Sequence, residues 1–249
     1  GQVLRTINNE GAIALVGPDG TATLLRPRPD AFADVADLDS ARIAAAIDGL
    51  ADDVTVQVSY PHGVDLVASP WKNGGGVTRE IAVAPEGAAL DTFVWRVSVA
   101  DVAQPGPFSR FAGIDRTLVL LAGAGMLLDD AEGHTHALTQ PLDIARFTGE
   151  ASIDARLVDG ATRDFNLMVR RGAATGDVEV WRGATEHTLT ADVVLLFCAA
   201  GRAEIMLDGH APFHLADNDT LRIDAPHAMA CRMKCADAGA VLATGVRYA

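Results

Sequence analysis

Leu120-Leu121-Ala122-Gly123-Ala124-Gly125 is an apolar strand that runs into a turn of small residues. It returns 76 residues later as Leu196-Phe197-Cys198-Ala199-Ala200-Gly201. A second unit follows each copy at the same offset: Asp143-Ile144-Ala145-Arg146-Phe147, then Asp219-Thr220-Leu221-Arg222-Ile223. Two matches in one register predict a duplicated β unit. Around them short apolar runs are broken by Gly, Pro and Asp roughly every ten residues, with almost no helical periodicity, as in an all-β barrel or sandwich.

The 249 residues are enough for a substantial core, and a hydrophobic content of 49% marks a globular chain. A formal charge of −13 argues against nucleic acid and against an anionic membrane surface as partners. It leaves room for a small acidic ligand held by a local cluster of cations. Cys198, Cys231 and Cys235 form an odd set, so a disulfide framework is not expected. Cys231 and Cys235 share one strand face and read as buried thiols in a reducing cytoplasm. The longest apolar run, Val193–Ala200, is too short to span a bilayer, and no secretion signal is read at the start.

Residues 1–63 read as an α/β extension. Ala12–Val16 and Thr21–Leu25 flank the turn Gly17-Pro18-Asp19-Gly20 and predict a hairpin. Ser40 is placed to cap an Ala-rich helix over Ala41–Ile47, and Val54–Val58 alternates like a half-buried strand. The segment fits either an appendage or an addition to the main body. In the second case its last strand would complete the first barrel.

Pro70-Trp71-Lys72-Asn73-Gly74-Gly75-Gly76-Val77-Thr78-Arg79-Glu80 joins an aromatic ring, cations and an amide to three glycines. Consecutive glycines mark places where a Cβ is not tolerated, either at positive φ or where backbone approaches a neighbour closely. Four more blocks follow in order: Trp95–Ala100, Gly106-Pro107-Phe108-Ser109-Arg110-Phe111, Gly113-Ile114-Asp115-Arg116 with Leu120–Met126, and Arg163-Asp164-Phe165-Asn166-Leu167-Met168-Val169-Arg170-Arg171. In these blocks the chain resembles the HutD/Ves family, bacterial bicupin-like proteins linked to histidine utilisation. The resemblance covers residues 64–249. It implies a bicupin of two double-stranded β-helix (RmlC-like jelly-roll) units, about 64–170 and 171–249. It also implies a regulatory role, sensing a pathway intermediate such as N-formylglutamate or urocanate.

The matched blocks supply a polar cluster: Lys72, Asn73, Arg79, Glu80, Arg96, Ser98, Ser109, Arg116, Asn166 and Met168. An Arg fork reads both oxygens of a carboxylate, and Asn and Ser can read an amide or formyl group. Trp71 and Met168 would give apolar walls, and Gly74, Gly75 and Gly76 would offer backbone N–H donors. Arg96 and Ser98 share a strand face opposite Trp95, Val97 and Val99. The expected pocket lies in the first unit, between the Asn73–Gly76 loop and the strands bearing Arg96, Arg116 and Asn166. The same residues also fit a structural ion-pair network, Arg79 with Glu80 and Arg116 with Asp115.

A metal-dependent cupin enzyme would use His134, His136 and Glu150, but Asp129–His134 reads as a polar turn, so no metal or other cofactor is expected. His210, His214 and His227 lack a carboxylate at matching spacing. No nucleophile elbow, P-loop or dinucleotide fingerprint occurs in the sequence. A metal-free isomerase using Glu80 or Lys72 is the remaining enzymatic alternative. The expected protein is a non-enzymatic binder of a small acidic metabolite, and a homodimer is compatible with it.

Overall fold

Strand β14 (Thr162–Arg170) is buried along most of its length, and its two faces differ in kind. Side chains alternate across a strand. Phe165, Leu167 and Val169 enter an apolar core, whereas Asp164, Asn166 and Met168 line a cavity on the other side. The computed structural model describes residues 57–71, 74–236 and 238–249, together with three short strands nearer the N-terminus.

Flanking β14 are β5 (Ala68–Pro70), β6 (Gly76–Ala84), β7 (Trp95–Val102), β9 (Ile114–Ala122) and β12 (Ile144–Thr148). They form an antiparallel six-stranded sheet in the order β12-β9-β14-β7-β6-β5. A four-stranded sheet accompanies it: β8 (Gly106–Pro107), β10 (Met126–Asp130), β11 (Thr135–Leu138) and β13 (Ile153–Leu157), in the order β11-β10-β13-β8. Leu118, Leu120, Met126, Leu128, Leu138 and Ile153 fill the interior between the two sheets.

The second unit repeats this plan. Strands β15 (Ala174–Arg182), β17 (Val193–Ala200), β20 (Thr220–Asp224) and β22 (Ala240–Tyr248) take the order β15-β22-β17-β20. Strands β16 (Ala184–Leu189), β18 (Ala203–Leu207), β19 (Phe213–Leu215) and β21 (Met229–Cys235) form its second sheet, in the order β16-β21-β18-β19. Both units are therefore jelly rolls of one topology, and the fold is all-β. Strand β4 (Gln57–Ser59) lies beside β20, on the edge of the second unit's sheet. Of the arrangements left open for the extension, the one in which its last strand completes the first barrel does not form. An edge position is decided by tertiary pairing and leaves no local trace in the sequence.

The repeated aspartates explain themselves as turn formers. Asp143 Oδ2 accepts the backbone N–H groups of Thr139 and Gln140, and Asp219 Oδ2 accepts that of Ala216. Each follows a residue at positive φ, Leu142 (73°) and Asn218 (69°), so the turn recurs at the sequence offset. The strand pairing slides by two residues. Leu120 N donates to Asp143 O, while in the second unit Cys198, rather than Leu196, donates to Asp219 O. A shift of two preserves the strand face, so burial is unchanged.

The two jelly rolls meet through Trp95, Val97, Val99, Phe165, Leu167 and Val169 of the first and Val178, Val193, Leu195, Phe197, Leu242 and Val246 of the second. The Phe165 and Phe197 rings lie 5.2 Å apart, and the Trp95 indole N–H donates to the Tyr248 hydroxyl at 3.0 Å. All three cysteines are free and buried.

Residues 1–57 form a separate compact unit. In it, β1 (Val3–Thr6), β2 (Ile13–Val16) and β3 (Ala22–Leu25) pair antiparallel in that order, with Ile13 opposite Leu25, as the expected hairpin requires. The expected helix over Ala41–Ile47 lies outside the described residues.

Phe165→Ala should destabilise the protein by about 3–5 kcal/mol, the usual cost of emptying a fully buried aromatic site. Urea denaturation would measure this. A loss under about 1 kcal/mol would mean that the contact between the units is not a stabilising core.

Candidate functional site

The cavity-facing side of the six-stranded sheet is a grid fixed by strand register. Met168 stands between Arg96 and Arg116, Asn166 between Ser98 and Leu118, and Asp164 between Ala100 and Leu120. Thr78 extends the last row through Ala100. Over this grid lies a cavity of about 610 Å3, lined on its other sides by Trp71, Leu90, Pro107, Phe108, Ser109 and Phe111.

Seven of the expected site residues line this one space: Trp71, Arg96, Ser98, Ser109, Arg116, Asn166 and Met168. Asp164, Thr78, Phe108 and Phe111 complete the wall and stand outside the expected set. Asp164 had a readable signal, since it precedes Asn166 by two residues and so shares its face.

Arg79 is placed elsewhere. It pairs in register with Val99, on the sheet face turned toward the second jelly roll, and donates to Asp101 at 2.5 Å. Arg163 holds the other oxygen of Asp101 at 2.7 Å, and this hydrogen bond, more than any other effect, keeps the carboxyl below its ordinary range. Glu80 is on the cavity side in register with Ser98, but its carboxylate is engaged by Arg96 at 2.7 Å. Neither ion pair offered as a structural alternative forms as drawn, for Asp115 bonds Arg171.

Gly74, Gly75 and Gly76 close a turn rather than line the cavity. Trp71 N donates to Gly76 O, and Gly74, at φ 71°, donates to Trp71 O. A Cβ on Gly76 would sit 2.6 Å from the Asp101 carbonyl oxygen and 3.2 Å from the Trp71 ring. Glycine is thus needed for close approach to backbone and indole, and the turn presents Trp71, whose N–H donates to Thr78 Oγ1 at 2.7 Å. Lys72 and Asn73 lie outside the described residues.

Two buried groups dominate the electrostatics. Arg116 is only 7% exposed and its guanidinium carbon lies 5.1–5.7 Å from the rings of Phe147, Phe108 and Phe111. A long 3.5 Å contact joins its Nη1 to Ser109 O, and among the described residues its Nε finds no hydrogen-bond partner. Burial lowers its pKa to about 10, although Asp164 opposes the shift. Asp164 is 2% exposed, and burial raises its pKa to about 7 against the pull of Arg116. Asp164 Oδ2 and Asn166 Oδ1 are likewise unpartnered among the described residues.

The cupin-type ligand set His134, His136 and Glu150 does not converge. His134 bonds Asp130 at 3.1 Å in an exposed turn, His136 packs beside Phe147, and Glu150 is held by Gly113 N and Arg171. Among the described residues, the one group of potential ligand atoms lying within 4.8 Å of each other is Asp130, Glu132 and His134 in that turn. His214 pairs with Glu204 at 3.7 Å on the surface, and His210 Nδ1 contacts the Asp208 carbonyl at 2.9 Å.

The raised Asp164 pKa has a definite sign for stability. Between its ordinary 3.8 and about 7 the native state keeps a proton that the unfolded chain has released. Stability therefore declines as pH rises through this window, by up to roughly 1.4 kcal/mol per unit of pKa difference. Asp164→Asn is neutral at every pH, so thermal melts should show it gaining on the parent from pH 4 to pH 8. Melting curves that stay parallel over that range would contradict the assignment.

The HutD family model matches residues 64–243. A 21.2 kDa protein from the hutC 3′ region of Pseudomonas putida is 38% identical over 68% of this chain and 87% of its own length. Protein Ves from Escherichia fergusonii is 38% identical over 44% of this chain, and the match spans 56% of that protein. A solved Pseudomonas aeruginosa protein of unknown function superposes with a TM-score of 0.71 at 32% identity, over 77% of this chain and 99% of that one. HutD from Pseudomonas fluorescens, solved in a formate condition, gives 0.68 at 31%, over 78% and 100%. The chain belongs to the HutD family.

Proposed function

We propose that the first jelly roll is a receptor for a small carboxylate metabolite of histidine breakdown, and that the protein works by binding it rather than by turning it over. The observation that carries this reading is Arg116, a buried cation in a cavity wall with an unpartnered donor. The other cation on the wall, Arg96, is already matched by Glu80. A guanidinium among three phenylalanine rings is poorly hydrated, and a carboxylate meeting it forms a charge-assisted fork. Ser98 and Asn166 lie one row along the sheet and suit an amide or formyl group. The Trp71, Phe108 and Phe111 walls suit the chain or ring of the ligand.

N-formylglutamate carries two carboxylates and a formamide, and urocanate joins a carboxylate to a flat ring. The link to histidine utilisation comes from the family and from the P. putida relative named for the hutC region. The P. fluorescens protein was solved in a formate condition, and formate is the smallest carboxylate. We place the protein's action in the cytoplasm, where such intermediates form. No helix among the described residues is long and apolar enough to cross a membrane.

Calorimetry with N-formyl-L-glutamate and with urocanate tests the reading. Removing one partner of a buried charge pair costs roughly 2–5 kcal/mol. Arg116→Gln, once shown folded by its melt, should therefore lose about thirty-fold or more in affinity. Arg79→Ala breaks a pair that lies outside the cavity and should bind within a few-fold of the parent. A folded Arg116→Gln protein that binds as tightly as the parent would overturn the assignment.

A further inference from the structure

Carboxylate binding at Arg116 leaves one wall residue unused. Asp164 is 2% exposed, borders the cavity, and carries a buried oxygen with no partner among the described residues. We propose that the first jelly roll takes up one proton with each carboxylate it binds, that Asp164 carries it, and that the site therefore selects carboxylates whose other end bears a hydrogen-bond acceptor. This inference rests on the Arg116 reading and deepens it.

Charge balance on this buried wall sets the protonation of Asp164. The groups facing Asp164 can be taken strand by strand. β9 contributes Arg116 on the cavity side, and β7 contributes Arg96, which is neutralised by Glu80 of β6. On the far face of the sheet Asp101 of β7 is held by Arg79 of β6 and Arg163 of β14. The opposing wall brings Pro107, Phe108 and Ser109, none of which titrates in this range. Among the described residues Arg116 is thus the one cation on the wall without a carboxylate at salt-bridge distance, and Asp164 is its electrostatic counterpart.

An incoming carboxylate claims Arg116. Asp164, if ionised, would then be a second buried anion whose cation has been taken. A buried carboxylate without a partner neutralises rather than persists. The proton comes from solvent, and the product is a bound anion beside a neutral carboxylic acid. Protonation also turns Asp164 from an acceptor into an O–H donor. The donor meets an acceptor at the ligand's far end, such as a formyl or amide carbonyl or a second carboxylate oxygen. The free-state pKa near 7 makes the uptake visible in an accessible pH range.

The experiment is calorimetry of the full chain with N-formyl-L-glutamate, whose carboxyl groups are both ionised above pH 6. Titrations at pH 6 to 9 in phosphate and in Tris, which differ in ionisation enthalpy, count the protons. The expected uptake is about one proton per ligand at pH 8, falling toward zero below pH 6. The affinity should drop roughly tenfold per pH unit above 7.5. Asp164→Asn should bind with no proton uptake and a flat pH profile. Should that variant fail to fold, Asp164→Ser, which likewise has no carboxyl to protonate, takes its place in the same titrations. Binding with no uptake and no pH dependence would overturn this proposal while leaving the Arg116 reading intact. Uptake that persists in Asp164→Asn would overturn it too, and absence of binding at every pH would overturn both.

Discussion

A sheet buried on both faces constrains everything else in this molecule. On one side Trp95, Val97, Val99, Phe165, Leu167 and Val169 join the two jelly rolls through a shared apolar core. On the other, β7, β9 and β14 turn Arg96, Ser98, Arg116, Asp164 and Asn166 toward the cavity. Burying such groups is unfavourable unless each finds a partner. Arg96 finds Glu80 and Ser98, but Arg116, Asp164 and Asn166 are left with unmet hydrogen-bonding capacity among the described residues. The apolar face supplies the stability that lets the polar face remain unsatisfied, which is how a scaffold supports a binding site.

Duplication makes this division possible. In the second jelly roll the corresponding interior is filled by Val194, Leu196, Cys198, Leu221, Ile223 and Met233, all buried. That unit serves as a packed platform. Its turn aspartate has taken on a second task, for Asp219 bonds Tyr60, His62 and Gly63 ahead of the first jelly roll, besides Ala216. Asp143 in the first unit closes its own turn. One repeat thus holds the chain together while the other encloses the cavity.

Much of this architecture was legible in the sequence because it follows from periods of two and from repetition. The 76-residue spacing marked the repeated turns, and alternation in Trp95–Val99 separated Arg96 and Ser98 from the apolar face correctly. The same rule, applied to Thr78-Arg79-Glu80, puts Arg79 on the opposite face from Thr78 and Glu80, and applied backward from Asn166 it brings in Asp164. Proximity in sequence to the glycine turn was the wrong guide for Arg79, because one residue along a strand reverses the side-chain direction. Other features had no local signal. The rings around Arg116 come from Phe108, Phe111 and Phe147, which meet only after the two sheets have packed. The placement of β4 on the second unit likewise depends on long-range pairing.

Binding by this protein turns on whether Arg116 receives a ligand carboxylate inside the first jelly roll. The most direct measurement is a crystal structure of the protein with N-formyl-L-glutamate bound. A carboxylate is expected within about 3 Å of the Arg116 guanidinium, with the formyl end toward Asn166 and Asp164 and the Arg79–Asp101 pair undisturbed. A ligand seated at Arg79, or on the outer surface with the cavity filled by side chains, would contradict it.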